Sequence, residues 1–187
     1  SSTVSAIIYA DDCNAFRRYA RQCGNQLILD DLAECQRNLH AWGRANSVTF
    51  DAGKEETMIV SNVDGMGGPA KLLGVEFDNK LVMRTAAHKC ARKAAFKTKS
   101  LLRCRRFYSL GDLVMLYKSH VMSYVEYRTP GLHFASSSVL VELDDVQTRY
   151  VKELGLSEES AFMTFNLAPL QVRRDIAILG VIHRAAS

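Results

Sequence analysis

Val4-Ser5-Ala6-Ile7-Ile8-Tyr9-Ala10-Asp11-Asp12-Cys13-Asn14-Ala15-Phe16 is the stretch on which the reading of this chain turns. A β-rich run meets two adjacent carboxylates and then resumes. The pattern predicts a strand, a two-residue turn at Asp11-Asp12 and a return strand, hence a hairpin carrying a carboxylate pair at its tip. Two like charges held side by side favour a cation between them, and a hard divalent ion such as Mg2+ prefers oxygen ligands. The plainer account is that Asp is common in turns for its own hydrogen bonding.

Moving outward, Ile28, Leu32, Cys35, Leu39 and Trp42 step by four, three, four and three, which predicts an amphipathic helix over 26–45, ending near Gly43 and Asn46. Val48-Thr49-Phe50 and Thr57-Met58-Ile59-Val60 read as short strands around a turn at 51–53. After a Gly-rich loop at 64–69, Lys71 to Phe77 is expected to pair with Leu81-Val82-Met83 across Asp78-Asn79-Lys80. Beyond Thr85 the period becomes helical. One helix over 88–107 carries a small-residue stripe of Ala91, Ala94, Thr98 and Leu101, and others follow over 110–127, from the Ser136-Ser137-Ser138 caps to Gly155, and over 169–184. The fold class expected is α+β: hairpins with one packed helix over 1–84, then an all-helical part over 85–187.

The 187 residues are 48% apolar and 24% charged, ordinary for a folded chain and unlike a disordered or collagenous one. No apolar run is long enough to span a membrane, and no secretory signal is visible. Five cysteines (Cys13, Cys23, Cys35, Cys90 and Cys104), without a C-x-x-C pair, read as reduced thiols of an intracellular protein. The chain starts at Ser1 without an initiator Met, which reads as a processed product or an excerpt. The net charge of +4 hides a segregation. Residues 1–78 carry −4 and 112–187 carry −2, whereas 79–111 carry ten basic residues and no acid. Such a block is the footprint of a polyanion-binding element, or else of a solvated helix that pairs with acids of its own fold. Within it Lys89, Arg92, Lys93, Lys97, Lys99, Arg103, Arg105 and Arg106 are the candidate nucleic-acid ligands, with Phe107 and Tyr108 placed to stack on bases.

Several motifs share an order. Tyr9-Ala10-Asp11-Asp12 resembles the Y-x-D-D hairpin of reverse transcriptases (RNA-directed DNA polymerases). It is followed by the helix bearing Leu39 and Trp42 and by Phe50, Lys54 and Met58. Leu72-Leu73-Gly74-Val75-Glu76-Phe77-Asp78 is similar to that family's primer-grip hairpin. Three further blocks resemble the thumb of the non-LTR retrotransposon type: Leu116 to Val121 with Tyr124 to Tyr127, Leu143 to Tyr150, and Leu167 to Leu170 with Arg173-Arg174. The resemblance covers nearly the whole chain and implies the C-terminal part of a palm followed by a thumb. It implies Mg2+-dependent nucleotidyl transfer on an RNA template with a DNA primer. Asp11 and Asp12 would be catalytic and metal-binding residues, Lys54 a proton donor to the leaving pyrophosphate, and Tyr9, Leu73 and Gly74 primer-binding residues. For Lys54 an ordinary surface lysine beside Glu55 and Glu56 is the simpler account, and for Leu73-Gly74 a tight hairpin.

In that family another catalytic Asp, the fingers and the nucleotide pocket lie upstream of the Y-x-D-D hairpin. None of the eight residues before Tyr9 is acidic. The chain is therefore expected to be catalytically incomplete alone. Three readings stay open: a piece of a larger polymerase whose upstream region is its partner, a domesticated remnant that binds nucleic acid without catalysis, and a structural subunit of a larger protein assembly. Other signals are bland. Arg173-Arg174 are expected to tie helices to acids such as Asp144 or Asp145. Tyr117, Tyr124 and Tyr127 lie at helical spacing and read as core. The histidines lack zinc-ligand spacing.

Overall fold

The computed structural model describes residues 5–9, 12–133 and 135–186, with the backbone alone for Ile7, Tyr9 and Asp12. It is a mixed α+β structure in which short antiparallel hairpins accompany a majority of helix. Two compact units divide after Ile59.

In the first unit β1 (Ser5–Tyr9) pairs antiparallel with β2 (Asp12–Phe16). The register sets Tyr9 opposite Asp12, so Asp12 belongs to the return strand rather than to the expected turn. α1 (Asn25–Ala45) follows, with Ile28 buried and Leu32, Cys35 and Leu39 half-buried along the expected stripe, whereas Trp42, its expected last member, is exposed. Its last turn ends under the returning chain. A Cβ on Gly43 would lie 2.7 Å from the Val48 carbonyl oxygen and 2.8 Å from the Phe50 ring. The segments expected as strands at 48–50 and 57–60 are irregular, apart from a single bridge at Ile59, around a 3-10 turn at Ala52–Lys54. Phe50 is held by α1 rather than by a strand partner, the His40 ring meeting it edge-on at 5.8 Å, and His40 also meets Glu55 at 2.6 Å.

The second unit begins with a hairpin of β3 (Ala70–Leu72) and β4 (Val75–Phe77), in register Leu72 opposite Val75. The chain turns at Leu73-Gly74, both at positive φ (46° and 79°), so the expected pairing of 71–77 with 81–83 does not form. Asp78 accounts for the difference. Its carboxylate accepts the backbone N–H groups of Lys80, Val82 and Met83 at 3.1, 3.0 and 2.6 Å, which directs the chain into a helix instead of a strand. Burial would raise the Asp78 pKa, but these N–H donors outweigh it and hold the carboxyl below its ordinary value.

α2 (Arg84–Arg103) buries Ala87, Cys90, Ala91, Ala94 and Thr98, the small stripe read from the sequence, and packs mainly on α6 (Ser137–Glu153). Before α6 come α3 (Leu110–Tyr117), a π turn at Lys118–Met122, α4 (Ser123–Glu126) and α5 (Thr129–Leu132). A capping box between Ser109 and Asp112 starts α3. After α6 come α7 (Glu158–Phe165), which the sequence reading left out, and α8 (Leu170–Ala186). The core centres on Met83, Leu132, Leu143 and two tyrosines. Tyr117 and Tyr150 stack at 4.3 Å, and the Tyr150 hydroxyl donates to the Leu113 carbonyl at 2.7 Å. Burial pushes the Tyr150 phenol up to about 12 and raises the Tyr117 phenol as well, so both rings are neutral and Tyr150 keeps its proton to donate.

The β3–β4 hairpin belongs to this helical unit rather than to the N-terminal part with which 1–84 grouped it. Val75 is in the core, and Gly131 of α5 lies so close beneath it that a Cβ there would stand 2.8 Å from Val75 Cγ1. Of the tyrosines expected in the core, Tyr117 is fully buried, Tyr124 half-buried, and Tyr127 60% exposed with its hydroxyl donating to the Leu73 carbonyl. Arg173 and Arg174 do tie helices: Arg173 reaches Glu126, and Arg174 forks onto Asp144 at 2.7 and 2.8 Å.

Candidate nucleic-acid interface

α2 presents its cations in two rows. Arg92, Lys99 and Arg103 form one, two turns and then one turn apart, and Lys89, Lys93 and Lys97 the other, each one turn after the last. The small buried stripe between Ala87 and Thr98 turns these long side chains away from the core.

The rows differ in what they already hold. Lys89 makes a two-point ion pair with Glu76 of β4 at 2.7 and 2.8 Å. Lys97 donates to the His120 carbonyl at 2.9 Å, in the π turn, and both Lys93 and Lys97 sit about the Tyr124 ring, 5.4 and 5.1 Å from its centroid. Beyond the helix, Arg105 reaches Glu153 at 3.4 Å, and Arg106 lies over the Phe107 ring at 4.6 Å.

Arg92, Lys99 and Arg103 are exposed and form no ion pair among the described residues. Arg92 and Lys99 line a groove of about 510 Å³ between α2 and α6, whose far wall carries Glu142, Asp145 and Glu153. Those acids have other partners: Glu142 meets the His88 ring at 2.9 Å, Asp145 meets Arg149 at 3.8 Å, and Glu153 meets Arg105 at 3.4 Å. The pairing-within-the-fold account thus covers part of the basic block and leaves this row uncompensated. Phe96, 70% exposed, sits between Arg92 and Lys99, and Phe107 is equally exposed beyond Arg103. Phe96 was missed in the sequence reading, although its place four residues after Arg92 and three before Lys99 puts it on the same face. A cationic row interleaved with exposed rings provides phosphate contacts and base-stacking platforms together.

The other expected site residues are placed as follows. Asp11 lies outside the described residues, and the backbones of Tyr9 and Asp12 form one cross-strand pair. Lys54 is 85% exposed, at the end of a 3-10 turn, with Asp51 3.5 Å away. Leu73 and Gly74 are the tip of the β3–β4 hairpin. Leu73 in left-handed conformation at a tip that usually takes Asn or Gly is locally strained, a feature that recurs at ligand-contacting turns. Among the described residues no three His, Cys, Asp or Glu side chains converge as a metal site. No helix among them is long and apolar enough to cross a membrane.

No protein-family model, curated protein or solved structure matches the chain.

Proposed function

We propose that this chain is a palm-and-thumb piece of a reverse transcriptase-like protein, and that its helical unit grips a primer–template duplex through the Arg92, Lys99 and Arg103 row of α2. The observation that carries the reading is that these three cations stand exposed near Phe96 with no ion pair among the described residues, while the acids across the groove have other partners. The motif order from Tyr9 to Arg174 supports the same reading. Asp11 and Asp12 would contribute oxygen ligands to Mg2+, together with a carboxylate from outside this chain. The ion, when bound, lowers the pKa of the primer hydroxyl and stabilises the leaving phosphate. Tyr9 would support that hairpin, Lys54 would meet the leaving pyrophosphate, and the Leu73-Gly74 tip would hold the primer strand.

Fluorescence anisotropy of an RNA–DNA primer–template measured against salt tests the binding. If each of the three cations neutralises one phosphate, they contribute about 2 to 3 to the slope of log K against log[salt]. Reversing Arg92, Lys99 and Arg103 to Glu should flatten the slope by about that amount and remove most of the affinity. Unchanged binding by the triple variant would refute the interface. Primer extension by the chain alone is expected to be negligible, and robust Asp11-dependent synthesis would contradict that part of the reading.

A second reading, a packing subunit of a larger assembly, draws on α8. That helix buries Leu170 and Arg174, while Val172, Ile176, Leu179 and Ile182 are 46 to 64% exposed on its other side. A helix apolar on both faces suits a buried position between partners. Copurification in a defined protein complex, with no measurable duplex affinity at low salt, would favour it.

A further inference from the structure

Two surfaces of the helical unit complement each other. The first is the groove between α2 and α6. Its floor is small or apolar, formed by Ala91, Ala95, Leu102 and Val146. Its walls differ in sign, with Arg92 and Lys99 on α2 facing Glu142, Asp145 and Glu153 on α6. His88 meets Glu142 near the start of both helices and Arg105 meets Glu153 near their ends, so α2 and α6 run side by side in the same direction.

The second surface is the outer side of α8. Leu170, Arg174 and the half-buried Ile178 mark the side that faces the fold. The opposite side carries Val172, Ile176 and Leu179, all exposed and in one helical row. At roughly 100° per residue, Asp175 and Ile182 border that row on one flank, and Gly180 and Arg184 on the other. Asp175 and Arg184 are exposed and form no ion pair among the described residues. An apolar row with an acid on one flank and a base on the other matches an apolar groove with one cationic and one acidic wall.

We propose that α8 of one copy of this chain docks in the α2–α6 groove of a second copy, with Val172, Ile176 and Leu179 on the floor around Ala95. The occupant comes from another copy because the Arg174–Asp144 pair and the burial of Leu170 fix α8 against its own fold, on the side of α6 away from Asp145. The right-handed winding of the helices sets the direction. A parallel α8 turns its Asp175 flank to α2 and its Arg184 flank to α6, whereas an antiparallel one meets like charge on both walls. In the parallel direction Asp175, early in α8, comes beside Arg92, and Arg184, at its end, beside Glu153. Burial of the apolar row supplies the attraction and the charges select the direction. The contact joins two different surfaces, so association continues past a dimer or closes into a ring. The proposal gives the outer face of α8 its occupant and does not rest on nucleic-acid binding, which would compete for the Arg92 row.

Sedimentation velocity of the full chain across the micromolar range tests it. Wild type is expected to associate reversibly as concentration rises. Leu179→Glu on α8 and Ala95→Glu in the groove, both at exposed positions, should keep the circular dichroism of wild type. Each puts a charge into the apolar contact and should weaken association about tenfold or more. Should Leu179→Glu not fold, Ile176→Gln takes its place. Mixing the two variants reads the mode, since one keeps an intact groove and the other an intact α8. The mixture should form a heterodimer although neither variant associates alone. Asp175→Arg and Arg92→Asp should each weaken assembly, and a chain carrying both should recover it. A wild type that stays monomeric overturns the proposal, as does a mixture without heterodimer or a charge exchange without recovery. Loss of association in Leu179→Glu but not in Ala95→Glu would mean that α8 pairs with α8, and would overturn it too.

Discussion

Removing Asp144 isolates the cost of leaving a buried cation alone. Arg174 is 8% exposed and forks onto both oxygens of Asp144 at 2.7 and 2.8 Å, joining α8 to α6. Breaking a buried pair by deleting one partner costs about 3 to 5 kcal/mol, because the remaining charge keeps its desolvation penalty without its counter-charge. The Asp144 side chain is 31% exposed, so water reaches the vacated position and the lower end applies, about 3 kcal/mol. That is roughly a 150-fold drop in the folded-to-unfolded ratio. Replacing both partners by apolar residues, Asp144→Leu with Arg174→Met, should cost far less than the two single changes together, since no orphaned charge remains. Urea unfolding followed by circular dichroism at the helical band reads this directly. Trp42 lies on α1 in the other unit, so its fluorescence reports there instead. Asp144→Ala within about 1 kcal/mol of wild type, or a double variant whose loss is simply additive, would refute the reasoning.

Three other outcomes follow from the geometry. The Asp78 carboxyl titrates below its unfolded value, so its stabilisation is complete above the ordinary Asp range and is lost as pH falls through the lower folded value. Asp78→Ala should therefore narrow the acid limb of the stability–pH curve, and at neutral pH cost about 1 to 2 kcal/mol, the range of a lost cap. Tyr150→Phe removes the buried donor to the Leu113 carbonyl and should cost about 1 kcal/mol in denaturant unfolding while leaving the ring stack with Tyr117. Under native conditions a thiol reagent should modify exposed Cys104 well before Cys90, whose burial and raised pKa keep it inert until the helical unit unfolds.

Where the hydrophobic period was long, the sequence was a reliable guide. α1, α6 and α8 run close to the expected ranges, and α2 lies one turn earlier than expected, because each repeats its apolar or small positions over several turns. α7 escaped notice because Ala161 is the one residue it buries, while Phe162 and Met163 point to solvent and blur any stripe. The second hairpin was misread for a physical reason. Asp78-Asn79-Lys80 has better turn chemistry than Leu73-Gly74, but Asp78 is used to gather backbone N–H groups ahead of α2, and the tip instead accepts a leucine at positive φ. The basic block was visible at once in the charge pattern. Which of its members remain uncompensated was not, because that depends on Glu76, Glu142, Asp145 and Glu153, brought from distant positions by folding.

The π turn at Lys118–Met122 winds one more residue into its coil than a regular helix would, so everything after it is rotated by roughly 100° about the axis. Shortening that segment by a single residue would restore uniform winding and free the His120 carbonyl from Lys97, yet it would swing Tyr124 and Arg128 off the side where the hairpin tip meets them. The irregularity thus acts as a phase setting, and a variant made more regular in this way should lose the packing of Tyr124 and Arg128 beside the hairpin tip while keeping its helix content.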